Sequence, residues 1–285
     1  MKNIIIYTDF STSYCKTILY AFKLLRGQNC NFLILNLPRE ESFGALNPHE
    51  KAKKECLYFN TLERLHQLQK KINHYFPEEN FNLQSLSLHD FREQSHNISL
   101  IIAGSSMLVK WKGKILLDIF RRNLIPLLVI PDDLNFNYPK KVLVSLEPNL
   151  DIKQGALAPF KKFFGHYKMD LELFKIYADR NNPALEARDE FELTQLYDAY
   201  HPKVRKTYTR QIEGALKMNL KKEKIDFHIV PLTRTTGNSI LYSSGFQKSI
   251  SRSYVPLMII RGSEVQEPFH FTRSSRTRTK TAFFL

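Results

Sequence analysis

The 285-residue chain carries only ten glycines, three cysteines and one tryptophan. Glycine is the residue that lets a backbone close on a phosphate, so so few leave little room for more than one glycine-lined nucleotide loop. Cys15, Cys30 and Cys56 are odd in number and show no paired spacing. That excludes a disulfide framework and points to a reducing compartment. No apolar run approaches the ~20 residues that cross a bilayer. The first run breaks at Asp9, too soon for the apolar core of a signal peptide. The expectation is a soluble, cytoplasmic protein with no membrane partner.

Acidic residues are also outnumbered. Lys and Arg total 42 against 28 Asp and Glu, a formal net charge of +14. Such an excess favours anionic partners, nucleotides or nucleic acid among them, or simply keeps the protein soluble. Lys110, Lys112, Lys114, Arg121 and Arg122 bunch in one stretch, and Arg273, Arg276, Arg278 and Lys280 in another. The nine histidines form no HExxH motif and no Cys/His cluster, so no metal site is expected. His66 and His74 lie two turns apart on one helix and read as solvent-facing. The pairs Glu78-Glu79, Asp132-Asp133 and Asp189-Glu190 stand in polar stretches and read as solvated. A nucleotide-dependent transferase or hydrolase would need an acid/base set at strand ends, and the sequence offers none. No catalytic residue is assigned, and the chain reads as a non-enzyme.

What the chain does have is a repeated opening. Ile4-Ile5-Ile6-Tyr7-Thr8-Asp9 returns in altered form as Val142-Leu143-Val144-Ser145-Leu146-Glu147. Each is a short apolar run without polar alternation that ends in an acidic residue. Runs of this kind are strands buried on both faces, which means a parallel sheet covered by helices. In such sheets ligands bind at the carboxyl ends of the strands, where Asp9 and Glu147 would stand. Asp9 could equally cap the helix that follows it.

The first copy continues with a helix marked by Tyr14, Ile18, Ala21, Phe22 and Leu25, then a strand at Phe32–Leu37. A long helix follows, with a stripe of Cys56, Phe59, Leu62, Leu65, Leu68, Ile72 and Tyr75, ended by Pro77. Phe81–Leu88 is a weaker strand near an edge. Leu100–Ala103 and Leu127–Ile130 are buried strands, with a basic helical stretch at Lys114–Asn123 between them. The polar segment Asp132–Pro139 reads as a linker. The second copy shows strands at Val142–Leu146, Leu171–Tyr177, Asp226–Leu232 and Leu257–Ile260, and a helix face of Leu157, Phe160, Phe163, Phe164 and Tyr167. Val204, Tyr208, Ile212, Ala215 and Leu216 share the spacing of one more helix. Too little chain remains before Leu257 for a full complement, so the second copy is expected to have lost or shrunk one β/α unit. The division is residues 1–134, residues 139–262 and a basic, aperiodic tail at 263–285.

Ile4-Ile5-Ile6-Tyr7-Thr8-Asp9-Phe10-Ser11, Leu100-Ile101-Ile102-Ala103-Gly104 and Pro126-Leu127-Leu128-Val129-Ile130-Pro131 together resemble the first, fourth and fifth strands of universal stress proteins. The likeness returns at Lys140–Tyr177 and Val255–Arg261, so the whole resembles a tandem member. The resemblance implies two α/β sandwiches on open parallel sheets of strand order 3-2-1-4-5, the second truncated or divergent. Many members of that family bind ATP. The resemblance puts Asp9 against adenine and the phosphates on a loop of pattern G-x2-G-x9-G-[ST] after the fourth strand. In this chain Gly104, followed by Ser105, matches the first glycine, and Met107 stands in place of the second. Gly113 fits the third, with Lys114 in place of Ser or Thr. The cofactor-binding candidates are therefore Asp9, Gly104, Ser105, Gly113 and Lys114, with Lys110, Lys112 and Lys114 able to draw phosphate as point charges. Trp111 could stack on a base or cover an empty sheet end. In the second copy Glu147 replaces Asp, and Ser243-Ser244 lie where Gly-Ser belongs.

The reading is a non-catalytic stress-response module that binds or scaffolds a partner, a protein or a small nucleotide, and needs no cofactor. The alternative is an ATP-binding member that uses its first copy. The last strands, Leu127–Ile130 and Leu257–Ile260, are expected to bring two separate, facing sheets together about a pseudo-twofold axis, as a homodimer would.

Overall fold

The structure, a computed structural model, describes residues 1–7, 14–35, 48–77, 83–86, 97–109, 125–146, 157–177, 201–209, 211–232 and 253–261. The first half of the chain gives β1 (Lys2–Tyr7), α1 (Tyr14–Leu24), β2 (Cys30–Leu35), α2 (Pro48–Tyr75), β3 (Leu83–Leu86), β4 (Ile98–Gly104), α3 (Ser105–Val109) and β5 (Leu127–Ile130). The second half gives β6 (Lys141–Leu146), α4 (Ala158–Phe164), β7 (Asp170–Tyr177), β8 (Lys203–Tyr208), α5 (Ile212–Lys222), β9 (Phe227–Leu232) and β10 (Leu257–Arg261).

All ten strands form one sheet in the order β3-β2-β1-β4-β5-β10-β9-β6-β7-β8. Within each half every pairing is parallel, and each half repeats the order 3-2-1-4-5 in its own strand count. The halves meet where β5 and β10 pair antiparallel, with Leu257 opposite Val129, Met258 opposite Leu128 and Ile259 opposite Leu127. The last strands therefore do meet, but two facing sheets do not form. The reason lies in the strand edges. β5 is buried along its whole length, and an unpaired row of buried N–H and C=O groups is costly. Joining edge to edge pairs both rows, whereas facing sheets would leave both open.

The second half keeps all five strands, so the expected loss of a β/α unit is corrected. The connection between β9 and β10, where a shrunken unit would lie, falls outside the described residues. The missed strand is β8. Val204, Tyr208 and Ile212 recur every fourth residue, a spacing that fits a helix and also fits alternate positions on a strand. The structure resolves the ambiguity by pairing β8 along β7 from Glu172–Lys203 to Tyr177–Tyr208 and starting α5 at Ile212.

The upper face of the sheet is covered by α1, the C-terminal part of α2, and α4. One hydrophobic core runs beneath them across the joint, from Ile4, Phe22, Phe32 and Leu68 through Leu128 and Met258 to Phe160, Phe164 and Phe227. Leu65, Leu68 and Ile72 bury their stripe of α2 as expected, whereas Leu62 and Tyr75 are exposed and Phe76 turns inward instead. His66 and His74 face solvent. The linker is less polar in effect than in composition. Leu134 and Phe136 pack against the core, and Phe136 lies edge-on to Tyr20 with ring centres 5.0 Å apart. The N-terminal half is tied directly to α4: Lys2 Nζ donates to Gln28 Oε1 at 2.8 Å and to the Lys162 carbonyl at 2.7 Å. Gln28 Nε2 donates to the Phe163 carbonyl at 2.7 Å, and the Tyr167 hydroxyl donates to the Leu24 carbonyl at 2.7 Å.

On the lower face of the second half, α5 lays Leu216 and Leu220 over Leu143, Phe174, Ile176 and Ile225. Two polar arrangements lie on this face. Ser145 Oγ and His228 Nε2 share a hydrogen bond at 2.7 Å, both residues buried. Burial holds the His228 imidazole neutral, with its pKa pushed down to about 3. Its folded-state pKa thus lies below its unfolded one, so the stability it protects is complete above about pH 6.5 and falls as pH drops towards 3. Urea titrations at about pH 7.5 and about pH 5 should differ by about 2 kcal/mol more in the native chain than in His228→Gln. Equal pH dependence in the two would contradict this.

The second arrangement joins β7, β8 and the end of α5. Arg205 Nε lies 3.0 Å from Glu172 Oε1, and Arg205 Nη1 lies 2.6 Å from Glu223 Oε1. Glu223 also meets Lys141 Nζ at 3.4 Å. The Arg205 hydrogen bond, assisted by the charges of Arg205 and Lys141, draws the Glu223 carboxyl below its ordinary range.

Candidate functional site

Of the five residues assigned to a ligand from sequence, Gly104 and Ser105 fall in the described part. Asp9, Gly113 and Lys114 lie outside it, as do Trp111, Glu147 and Ser243-Ser244. Gly104 is the last residue of β4, and Ser105 opens α3. β4 lies between β1 and β5, so this turn stands at the carboxyl ends of the central strands, the place where parallel sheets bind ligands.

The turn already holds an anion. β5 stops before Pro131, and the next residue, Asp132, bends its carboxylate onto the turn. The Ser106 backbone N–H donates to Asp132 Oδ2 at 3.1 Å, and the Ser105 hydroxyl donates to the same oxygen at 3.3 Å. Ser106 belongs to the first turn of α3, whose N–H groups have no partner within the helix. A carboxylate there satisfies one of them and meets the positive end of the aligned peptide dipoles. The other oxygen, Asp132 Oδ1, is buried and accepts no hydrogen bond among the described residues. Asp132 was expected to be solvated together with Asp133, and only Asp133 is. Its side chain is fully exposed and pairs loosely with Lys16 at 3.7 Å. The signal that could have found Asp132 is its place directly after the fifth strand, beside the end of the fourth.

Gly104 fits closely into this arrangement. A Cβ at that position would stand 3.0 Å from Asp132 Oδ1 and 3.0 Å from Thr17 Oγ1. Thr17 is buried on α1, and Asp132 is held by two hydrogen bonds, so neither withdraws freely. Gly104→Ala is expected to lower the unfolding free energy by about 1–2 kcal/mol, within the range for overpacking. Adding Asp132→Ala to it should restore part of the loss, since one of the two crowded atoms is then gone. Thermal melts of the three variants check this, and an unchanged or raised Tm for Gly104→Ala would contradict it.

The chemistry available at the turn is limited. A second anion about 4 Å from the carboxylate meets a repulsion of about 4 kcal/mol at an effective dielectric constant near 20. One hydrogen bond gained in return is worth about 1 kcal/mol. At the turn itself, the Asp132 charge therefore opposes an anion placed beside it. Among the described residues no three His, Cys, Asp or Glu side chains come together as metal ligands, and no helix is long and apolar enough to cross a membrane.

No protein-family model matches the sequence, and no curated protein does. Solved structures do. The chain is similar to a universal stress protein from Archaeoglobus fulgidus DSM 4304, at 16% identity and a TM-score of 0.62, covering 92% of this chain and 97% of that one. It is similar to a putative universal stress protein from Pseudomonas aeruginosa UCBPP-PA14, at 11% identity and a TM-score of 0.53, covering 92% and 93%. It is also similar to the cytoplasmic domain of a prokaryotic cation chloride cotransporter, at 11% identity and a TM-score of 0.53, covering 92% and 96%. The fold is that of the universal stress proteins, and the likeness extends over nearly the whole length of both chains.

Proposed function

We propose that the chain is a non-catalytic, cytoplasmic module of the universal stress type that works by binding a protein partner, without a nucleotide. The observation that carries this reading is the Asp132 carboxylate on the Ser105–Ser106 turn. It takes up the backbone N–H that a phosphate would need and adds a negative charge beside it. The sequence departures support the same reading. Met107 replaces a glycine of the phosphate loop, and Lys114 replaces the Ser or Thr. The continuous sheet supports a scaffold role, because the β5–β10 joint fixes two α/β units in one orientation under a shared core. The stress-response assignment rests on likeness of fold to universal stress proteins.

The test is native mass spectrometry of the protein freshly purified from its expression host. The reading expects the mass of the bare chain. Retention of an adenine nucleotide in a stoichiometric fraction would overturn it in favour of an ATP-binding member that uses Asp9 and the loop from Gly104 to Lys114.

A further inference from the structure

On the lower face of the sheet, α5 turns Leu216 and Leu220 onto the core and Lys217, Met218, Lys221 and Lys222 to solvent. Lys224 follows just past the helix end and is also exposed. Lys217 and Lys221 are one turn apart and so neighbours on the surface. Both close on one ring. Lys217 Nζ stands 5.5 Å and Lys221 Nζ 5.0 Å from the centre of Tyr254, which precedes β10 and is 51% exposed. Met218, in the same patch, is 67% exposed.

Two features of the patch select an occupant. The first is charge. A ring attracts a cation through its quadrupole but carries no net charge, so both ammonium groups over Tyr254 keep theirs. They repel one another, and an anion beside them relieves that repulsion. Among the described residues no carboxylate pairs with any of the four lysines. Glu223 is turned to Arg205 and Lys141, and Asp226 accepts from the backbone N–H groups of Lys140 and Lys141. Glu213 is the other acidic residue of α5, and counted against Lys217 it still leaves three cations. The sequence joining β9 to β10, residues 233–252, adds Arg234, Lys248 and Arg252 and has no Asp or Glu. The second feature is the apolar centre. A phosphodiester backbone would meet the lysines and leave Met218 in water. An anionic bilayer surface takes both. Lysine stems reach headgroup phosphates, and a thioether and a tyrosine ring suit the boundary between headgroups and acyl chains.

We propose that the outward face of α5, with Tyr254, docks on the anionic headgroups of a lipid bilayer, with Lys217 and Lys221 on phosphates and Met218 dipping towards the acyl chains. The chain rests on the surface without crossing it. The proposal goes beyond the binding-module reading and does not depend on it, since nucleotide retention leaves this face untouched.

The test is co-sedimentation of the full chain with phosphatidylcholine vesicles containing about 30% phosphatidylserine, at about 50 mM and about 300 mM salt. Vesicles of phosphatidylcholine alone and a single-stranded oligonucleotide serve as comparisons. Lys217→Gln with Lys221→Gln removes the paired cations. Lys161→Gln with Lys168→Gln makes the same change in net charge at exposed positions on and just after α4, on the opposite face of the sheet. The expected result is binding to the anionic vesicles that weakens with salt, as contacts between exposed charges must. Each lysine near an anionic surface counts for about fivefold, so the α5 pair should weaken binding about twentyfold. Met218→Gln should weaken it several-fold, and the α4 pair less than about twofold. Circular dichroism and melting temperature should match the native chain in all three variants, since every position changed is exposed. No preference for anionic vesicles, equal loss in the two lysine pairs, or binding indifferent to Met218→Gln would overturn the proposal. So would oligonucleotide binding that needs Lys217 and Lys221 in a chain that ignores vesicles, which would give the face to nucleic acid.

Discussion

Truncating both sides of the joint, Leu128→Ala with Met258→Ala, should unfold the whole chain at a urea concentration where the native protein is intact. Each residue is fully buried, and they lie opposite each other across the β5–β10 pairing. A buried Leu or Met cut to alanine costs about 2–5 kcal/mol through lost burial and the cavity left behind. Two such changes amount to much of the ~5–15 kcal/mol that holds a typical domain folded. Because the two side chains share one core cluster, the combined effect should depart from the sum of the single effects. The core that crosses the joint makes a further demand. Both halves should lose structure together, so hydrogen exchange of the β1 and β6 amides and far-UV circular dichroism of the whole chain should report one coincident transition. Two separate transitions, with one half unaffected by the substitutions, would show that the joint is a contact between independent units.

Arg205→Leu should lower stability by about 3 kcal/mol at neutral pH. The change leaves Glu172, which is only 2% exposed, without the guanidinium 3.0 Å away. Breaking a buried ion pair from one side costs about 3–5 kcal/mol because the remaining charge is uncompensated. The lower end applies here because the Arg205 side chain is 39% exposed and water screens part of the effect. Loss of the Arg205–Glu223 contact also loosens α5 where it meets Lys141. Glu172→Gln combined with Arg205→Leu should recover part of the loss, since no buried charge then remains. Chemical denaturation of the single and double variants decides it. A change under about 0.5 kcal/mol for Arg205→Leu would mean that the pair contributes no more than an ordinary surface contact.

Much of the sheet was legible from the chain because its strands are apolar on both faces. Ile4-Ile5-Ile6, Leu100-Ile101-Ile102 and Leu127–Ile130 carry that signature without ambiguity, and all became central strands. β8 was not legible. It is the outermost strand of its half, and its alternation of Lys203, Arg205 and Thr207 with Val204, Lys206 and Tyr208 also fits a helical spacing. The joint could be foreseen as a meeting of last strands but not as edge pairing. That outcome depends on backbone hydrogen bonds, which side-chain pattern does not record. At the candidate site, the importance of Gly104 could be read from its place after the fourth strand. The role of Asp132 could not, because a carboxylate beside a second carboxylate in a polar stretch has the composition of a solvated loop. Only the close approach of the β4 and β5 ends distinguishes Asp132 from Asp133. Tyr75 shows the reverse error. It shares the stripe of Leu68 and Ile72, yet stands 62% exposed, because Phe76 takes the inward position at the helix end.

The proposal that the chain works without a nucleotide rests on the Asp132 carboxylate at the turn after β4. Calorimetric titration of the native chain with magnesium ATP tests it most directly. The account predicts no saturable heat at concentrations up to about 1 mM, a limit that corresponds to about −4 kcal/mol of binding free energy. A single saturable site per chain, abolished by Asp9→Ala with Gly113→Val and left no tighter by Asp132→Ala, would contradict it.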